Sequence, residues 1–277
     1  MPRNEDRLGV KDQAGSEPPI TDNNSILEFV LPVDIVNLPS GGKFYPPEHP
    51  LHNLESVEIR FMTAKDTDIL TSKSLLKKGV AVDRMLQNII INKDINVDSL
   101  YTGDKNALLI AARINGFGAE YKTKAKCPSC GTAQEHIFNL AEVENKVYES
   151  DVEISPDGTF MIELPITKVV VEGRLLTGAD EKKIFKQAEK KKKHNLPEAN
   201  MTDQYKLFIV SLNGVTERGL VEKFVDVMPA QDATYLKSIY EKVSPNVDLT
   251  HDFVCESCDV ETKLTIPFSA EFFWPSG

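Results

Sequence analysis

Four cysteines form the clearest chemical pattern in this sequence. They occur as two Cys-x-x-Cys pairs, Cys127/Cys130 in KCPSCGT and Cys255/Cys258 in VCESCDV, and the chain contains no other cysteine. The two-residue spacing lets both sulfurs of a pair face one ion, and four thiolates make a closed tetrahedral Zn²⁺ site of the structural kind. The sequence therefore predicts a structural Zn²⁺ bound by Cys127, Cys130, Cys255 and Cys258.

The long separation of the two pairs leaves other uses of the cysteines open. More than a hundred residues lie between them, whereas zinc ribbons usually place their pairs about 15–20 residues apart. One alternative is a thiol–disulfide redox pair, which needs a thiolate at a helix N-terminus or beside a cation. Another is two unrelated buried pairs. A third is a zinc-ribbon module that binds nucleic acid, against which the acidic net charge counts. His136 and His251 lie nearby, but four cysteines already fill the shell, so we expect these histidines at the surface or around the ligands.

Similar motifs in the two halves of the chain suggest how distant cysteine pairs could meet. Each half runs through a Leu-Pro dipeptide, a β-rich stretch, a threonine that begins a helix, two further apolar-periodic segments and a cysteine pair. In the first half, the Leu-Pro and threonine motifs are Leu38-Pro39 and Thr63-Ala-Lys-Asp66. In the second half, they are Leu164-Pro165 and Thr177-Gly-Ala-Asp180. Five matches in one order predict an internal duplication over roughly 37–140 and 163–270. Equivalent positions near a pseudo-twofold axis would then bring the pairs together.

The remaining motifs predict helices and short strands. VDRMLQNIII and QYKLFIVSLNGV are predicted as helices, and so are YTGDKNALLIAARI and VMPAQDATYLKSIYEKV, which carry Asp104 and Asp232 near their starts. A β-like segment follows each cysteine pair. Gly131 suits the positive φ that such a knuckle needs, and Asp259 is an imperfect substitute. We therefore predict an α+β fold of two pseudo-repeated halves, each with helices and small antiparallel sheets, joined by a zinc-ribbon-like Cys₄ site.

Composition divides the chain into three parts. Residues 1–25 are polar and have almost nothing to bury, which predicts a disordered N-terminal arm. The first repeat, with Cys127 and Cys130, is predicted over 26–150. The second repeat, with Cys255 and Cys258, is predicted over 151–277.

Charge and hydropathy exclude several classes of function. The 277 residues are 41% hydrophobic and 27% charged, which is ordinary for a soluble globular protein. The net charge of −10 argues against sequence-independent binding to nucleic acid, and the lysine run 190–193 is interpreted as the solvated end of a helix. No apolar run approaches the roughly 18 residues of a membrane span. The N-terminus lacks the apolar core of a signal peptide, so the chain is interpreted as cytosolic.

No catalytic signature organises the polar residues, and the aromatic residues offer partner contacts instead. A nucleophile elbow, a metalloprotease helix, paired carboxylates and a phosphate loop are all missing from the sequence, which predicts a non-enzyme without a small-molecule substrate. The candidate partner-binding side chains are aromatic, since such residues are favoured at interfaces; they are Phe44, Tyr45, Phe272, Phe273 and Trp274. The alternative is that these aromatic side chains pack onto the core of their own chain.

Several motifs together resemble a known family. LPSGGKFYP, FMTAKDTDILTSKSLLKKGVAVDRML, YTGDKNALLIAARINGFGAEY and CPSCG are similar to baseplate (hub) assembly proteins of T-even-like contractile-tailed phages, including those of marine cyanophages. The resemblance runs from about Leu38 through Gly131 and more loosely to the C-terminus. It implies a structural or assembly role with other baseplate and hub proteins as partners. It places the protein in the host cytoplasm during assembly, with the tail baseplate of the virion as a further location. Some relatives lack the knuckles, which implies that zinc stabilises the fold.

Overall fold

Short antiparallel hairpins and amphipathic helices alternate along the chain. The computed structural model describes residues 31–146, 152–194, 200–268 and 272–273, so the predicted arm over 1–25 lies outside the described residues. The described residues contain eight α-helices and nine strands, and the strands form four small antiparallel sheets. From Pro32 onward, the described residues belong to one compact unit. The predicted α+β class is confirmed.

The first half carries two hairpins separated by helices. Its elements are β1 Val33–Asn37, β2 Ser56–Arg60, α1 Ala64–Thr71, α2 Lys73–Lys77, α3 Ala81–Ile89, α4 Thr102–Phe117, β3 Glu120–Lys126 and β4 Ala133–Asn139. Strand β1 pairs with β2, and β3 pairs with β4. Helix α4 is the centre of this half, because its buried residues pack against both hairpins' core residues.

The second half contains a three-stranded sheet and a final hairpin. Its elements are β5 Thr159–Glu163, β6 Val170–Arg174, α5 Gly178–Lys193, α6 Asn200–Phe208, β7 Ile209–Leu212, α7 Arg218–Val227, α8 Ala230–Val243, β8 Thr250–Val254 and β9 Glu261–Thr265. Strand β6 lies between β5 and β7, and β8 pairs with β9. The lysine run forms the last turn of α5, where positive charge complements the helix dipole.

The helix predicted over QYKLFIVSLNGV is wrong in its second part. Helix α6 ends at Phe208, and the next four residues form β7, which pairs with β6. An apolar run of this length fits a buried helix or a buried strand equally well, and pairing with β6 decides for the strand. The first half shows the same switch from helix to strand pairing. Helix α3 ends at Ile89, and Ile90 forms an antiparallel β-bridge with Ile59 of β2.

An arginine–aspartate pair fixes the start of α1. The Asp66 carboxylate accepts from both terminal nitrogens of Arg60 at 2.7 and 3.0 Å, and from the backbone N–H of Thr63 at 2.8 Å. The Asp66 side chain is fully buried. Such a bidentate contact orients the end of β2 against the first turn of the helix.

The start of α5 is built in the same way. Asp180 accepts from the two terminal nitrogens of Arg174 at 2.7 and 2.9 Å, and from the N–H of Thr177 at 3.1 Å. Thr63 and Thr177 therefore begin helices as predicted, and each helix is joined to the preceding strand through an arginine. The predicted duplication stays a prediction, and its two threonine motifs have the same local geometry.

Two buried aspartates hold the loops that follow the Leu-Pro dipeptides. Asp104 of α4 accepts from the N–H of Ser40 at 2.9 Å and from the hydroxyl of Tyr45 at 2.7 Å. Asp232 of α8 accepts from the N–H groups of Ile166 and Thr167 at 2.8 and 3.0 Å. In both halves a carboxylate near a helix start thus accepts hydrogen bonds from backbone N–H groups of the loop.

Contacts between the halves centre on the junction of α4 and α5. The N–H of Thr102 donates to Leu176 O at 3.1 Å, and the N–H of Gly178 donates to Leu100 O at 2.9 Å. Nearby, the largely buried Lys105 ammonium lies 2.7 Å from Glu181. The same ammonium lies 2.8 Å from Asp83 of α3. These bonds help to orient the second half against the first. They therefore also help to orient the β8–β9 hairpin, which belongs to the second half.

We expect Asp66→Asn and Asp180→Asn to destabilise the protein at neutral pH. Each change removes the carboxylate that a partly exposed arginine contacts, so we expect a loss of about 2–3 kcal/mol in the free energy of unfolding. The control is Asp68→Asn, an exposed position on α1, which should change stability by less than about 0.5 kcal/mol. Urea unfolding measures all three. A loss at Asp66 no larger than at Asp68 would show that the pair is not structural.

The same pairs predict an acid dependence. Burial alone would raise the pKa of Asp66, but hydrogen bonds from its partners, Arg60 first, outweigh burial and hold that pKa well below its usual range. A folded-state pKa below the unfolded value of about 3.9 stabilises the protein above that pH. The stability difference between wild type and Asp66→Asn should therefore be constant at neutral pH and shrink as the pH falls below about 4. A difference at pH 2 as large as that at pH 7 would contradict this.

Candidate metal centre

Each cysteine pair lies in the turn of a β-hairpin. The first knuckle joins β3 to β4, and the second joins β8 to β9. In the first, the N–H of Cys127 donates to Thr132 O at 2.9 Å, and the N–H of Gly131 donates to Cys127 O at 3.0 Å. These bonds curl the backbone so that both cysteine side chains of the turn point to one side.

The second knuckle repeats this backbone pattern. The N–H of Cys255 donates to Val260 O at 3.1 Å, and the N–H of Asp259 donates to Cys255 O at 2.9 Å. Gly131 has a φ of 75° and Asp259 a φ of 52°. The positive φ expected at Gly131 is thus present, and Asp259 adopts the left-handed region at the equivalent place, where aspartate is tolerated better than most residues.

The two knuckles meet, although more than a hundred residues separate them in the sequence. The Sγ atoms of Cys127 and Cys258 are 3.8 Å apart, and those of Cys130 and Cys255 are 3.6 Å apart. All four sulfurs lie within 4.8 Å of one another. Zn–S bonds of about 2.3 Å in a tetrahedron place sulfurs about 3.8 Å apart. The four thiols are therefore close enough to hold one metal ion, and short sulfur–sulfur distances join the two hairpins.

A small apolar cluster packs against the buried cysteines of the two knuckles. Cys127 and Cys255 are buried and pack with Ala125 and Phe253, while Cys130 is exposed. The first cysteine of each knuckle therefore faces protein. An ion at this place would be shielded on that side and reached by solvent on the other.

The thiols of the cluster differ in how readily they lose their protons. Hydrogen bonds from the side chain and backbone of Thr132 lower the pKa of Cys130 to about 6. At Cys258, the backbone N–H of Val260 lowers the pKa, but the neighbouring thiols, Cys255 first, outweigh it and raise the pKa to about 12. Cys130 therefore loses its proton more readily than Cys258, whose thiol is hydrogen-bonded to its neighbours. Four thiolates this close together would also repel one another. A divalent cation would remove that repulsion.

Polar contacts outside the sulfurs also join the hairpins. Gln134 of β4 donates to Val254 O at 3.0 Å and accepts from the N–H of Glu256 at 2.9 Å. His136 Nε2 lies 3.3 Å from His251 Nδ1. Burial, and then the adjacent His251, lower the pKa of His136. These histidines contact each other and aromatic rings of the two hairpins, and the cluster that could hold metal consists of the four cysteines.

A protein-family model described as T4 bacteriophage base plate protein matches residues 32–274. The match spans both knuckles and nearly all of the chain. The chain belongs to this family. The resemblance seen in the sequence motifs is thereby confirmed for the family as a whole. Searches among curated proteins and among solved structures gave no match.

Membership of the family makes this a phage baseplate protein, which gives the fold a structural context. Across the part of the chain that the structure describes, no helix is both long and apolar enough to cross a membrane. The four cysteines that could hold a metal ion lie at the tips of two hairpins.

The aromatic partner candidates occupy different surroundings. Tyr45, Phe272 and Phe273 are buried in the first-half core, and Phe44 packs against that core. Trp274 lies outside the described residues. The partner-binding role of these side chains stays a prediction, and for the buried ones it would require the ring to leave the core.

Sequence reasoning missed Gln134 and Thr132, which contact the site without being ligands. Gln134 is an unremarkable polar residue in an alternating strand, and its partners lie 120 and 122 positions away. Thr132 had a weak signal, because a hydroxyl two residues after a cysteine is well placed to donate to its thiolate. Only the spatial meeting of the hairpins reveals the role of Gln134.

The two positive-φ positions give a test of the knuckle geometry. Gly131→Ala should cost about 1 kcal/mol in the free energy of unfolding, because a Cβ is unfavourable in the left-handed region. Asp259→Gly should stay within about 0.5 kcal/mol of wild type, since relief of strain and added unfolded-state entropy oppose each other. The control is Gly219→Ala at an exposed site of α7, which should stabilise by about 0.5–1 kcal/mol. Equal effects at Gly131 and Gly219 would contradict the account.

Proposed function

We propose that this baseplate protein is a non-enzymatic structural or assembly component of the central hub of a contractile phage tail. The observation that carries the proposal is the family match over residues 32–274. Its partners would be other baseplate and hub proteins. It would act in the host cytoplasm during assembly and remain associated with the tail baseplate. Catalysis, nucleic acid and small-molecule substrates have no part in this role.

We further propose that the four cysteines bind one structural Zn²⁺. Four sulfur ligands in a tetrahedral arrangement favour zinc among common cellular metals. They also leave no open position for water or substrate, which is typical of structural sites. The ion would stabilise the contact between the β3–β4 and β8–β9 hairpins. The two hairpins belong to the two proposed repeats, 26–150 and 151–277, so zinc would fasten one repeat to the other.

A redox role for one Cys-x-x-Cys pair is the second candidate, and one observation favours it. Cys130 is exposed, and hydrogen bonds from Thr132 lower the pKa of its thiol, which favours the thiolate. However, a redox disulfide involves the two sulfurs of one knuckle, whereas here all four sulfurs of the two knuckles lie within 4.8 Å of one another. Neither pair lies at a helix N-terminus, the usual way to stabilise a reactive thiolate. The arrangement therefore supports metal binding better.

Metal analysis of the purified protein tests the zinc proposal. We expect about one zinc per chain in the wild type and little in Cys258→Ser. The control is Ser257→Ala, an exposed residue within the same knuckle, which should keep the metal. Zinc removal should lower the Tm, by roughly 2–4 °C for each kcal/mol of stability that is lost. A metal-free protein of unchanged Tm, or a reversible disulfide within one knuckle, would contradict the proposal.

The assembly role is tested separately in infected cells. We expect the tagged wild-type protein to sediment with baseplate intermediates that contain identified hub proteins. Cys258→Ser should associate in proportion to its folded fraction, because zinc acts on stability in this account. A folded, zinc-loaded protein that never associates with tail intermediates would contradict the hub role and leave the zinc site intact.

A further inference from the structure

The outer edge of β1 has unpaired backbone groups. At the two ends of the β1–β2 ladder, the N–H of Leu38 donates to Glu55 O, and the N–H of Phe61 donates to Pro32 O. Hydrogen-bonded pairs alternate in an antiparallel ladder. The backbone N–H and C=O groups of Asp34 and Val36 therefore also point toward β2.

Val33, Ile35 and Asn37 therefore direct their N–H and C=O groups away from β2. In the described part of the chain, no backbone hydrogen bond from another element reaches these three residues. Such an edge is a template for another strand.

A groove runs along this open edge. Its cavity of 370 Å³ lies between β1 and the segment 140–145, with α4 below. The floor consists of α4 residues on one helical face, Ala107, Ile110, Ala111 and Ile114. Val36 and the floor are apolar, so a strand laid beside β1 would find hydrogen-bonding groups on one side and an apolar surface beneath alternate side chains.

The charged lining of the groove is acidic. Asp34 lies at the β1 side and Glu144 at the opposite wall, and neither Lys, Arg nor His is among the lining residues. One oxygen of Asp34 accepts from Asn115 Nδ2 at 2.9 Å, and among the described residues neither carboxylate has an ion-pair partner. Lysine or arginine side chains of an incoming segment would therefore be favoured.

We propose that this groove binds an extended segment of another baseplate protein, which adds to β1 as a strand. The segment would place alternate apolar side chains on α4 and basic side chains near Asp34 and Glu144. The proposal rests on the assembly role above and specifies its partner. The alternative occupants from this chain fit less well: the apolar stretch ILEFVL, residues 26–31, carries only one charge, that of Glu28, and the whole chain has a net charge of −10.

The substitution Ile35→Pro tests the open edge of β1 without removing a hydrogen bond between β1 and β2. Ile35→Pro removes an N–H that faces the groove, while the ladder bonds use Asp34 and Val36. The matched control is Ile137→Pro in β4, another exposed isoleucine whose N–H also points away from its partner strand by the register. Glu144→Lys reverses a groove charge, and Glu48→Lys makes the same change at an exposed loop position.

The experiment uses full-length protein supplied during infection and quantifies its co-sedimentation with baseplate intermediates. We expect Ile35→Pro and Glu144→Lys to lower association by about tenfold or more, the effect of losing about 1.4 kcal/mol. Ile137→Pro and Glu48→Lys should associate like wild type. A photo-cross-linking p-benzoylphenylalanine at position 144, but not at position 48, should capture an apolar and basic segment of an identified baseplate protein.

Three results would overturn the inference while leaving the hub role standing. The first is wild-type association of Ile35→Pro. The second is a cross-link from position 144 to this chain's own residues or to a second copy. The third is association of the wild type without any cross-link from position 144. Absence of wild-type protein from all intermediates would instead contradict the hub role itself, and the inference with it.

Discussion

Four sulfur atoms within 4.8 Å of one another mark the place where the hairpin tips of the two halves meet. Each hairpin supplies two of them, and thiolates so close repel one another unless a cation lies between them. The β8–β9 hairpin returns to the first half, where Ile266 and Val247 join the core built around α4. Apolar packing positions this hairpin, and a metal ion would fix its tip. The junction of α4 and α5 sets the direction from which it approaches.

Local signals in the sequence predicted those parts whose causes lie within a few residues. Thr63 and Thr177 begin helices because an aspartate follows three positions later. Gly131 takes the positive φ of its knuckle because glycine carries no Cβ. The cysteines were identified as one cluster because the motif order pointed to equivalent positions in two halves.

Distant contacts explain what the sequence did not reveal. The apolar run after Phe208 became β7 rather than helix because β6 offered an unpaired edge. Asp104 could be placed near a helix start, yet its bond to Ser40 spans 64 positions and leaves no periodic signal. Gln134 was missed for the same reason. The open edge of β1 is also a tertiary property, since it depends on which neighbours fail to cover a strand.

A baseplate component needs a rigid body and places where neighbours attach. Arginine–aspartate pairs at two helix starts stabilise the body of this protein. In our proposals, zinc at the cysteines would add to that stability, and the edge of β1 would bind a neighbouring protein. The central claim is that four cysteines hold one zinc ion between the hairpins. X-ray absorption at the zinc edge of the purified protein tests it most directly. The account predicts four sulfur neighbours at about 2.3 Å; a shell with nitrogen or oxygen ligands, or a protein without zinc, would contradict it.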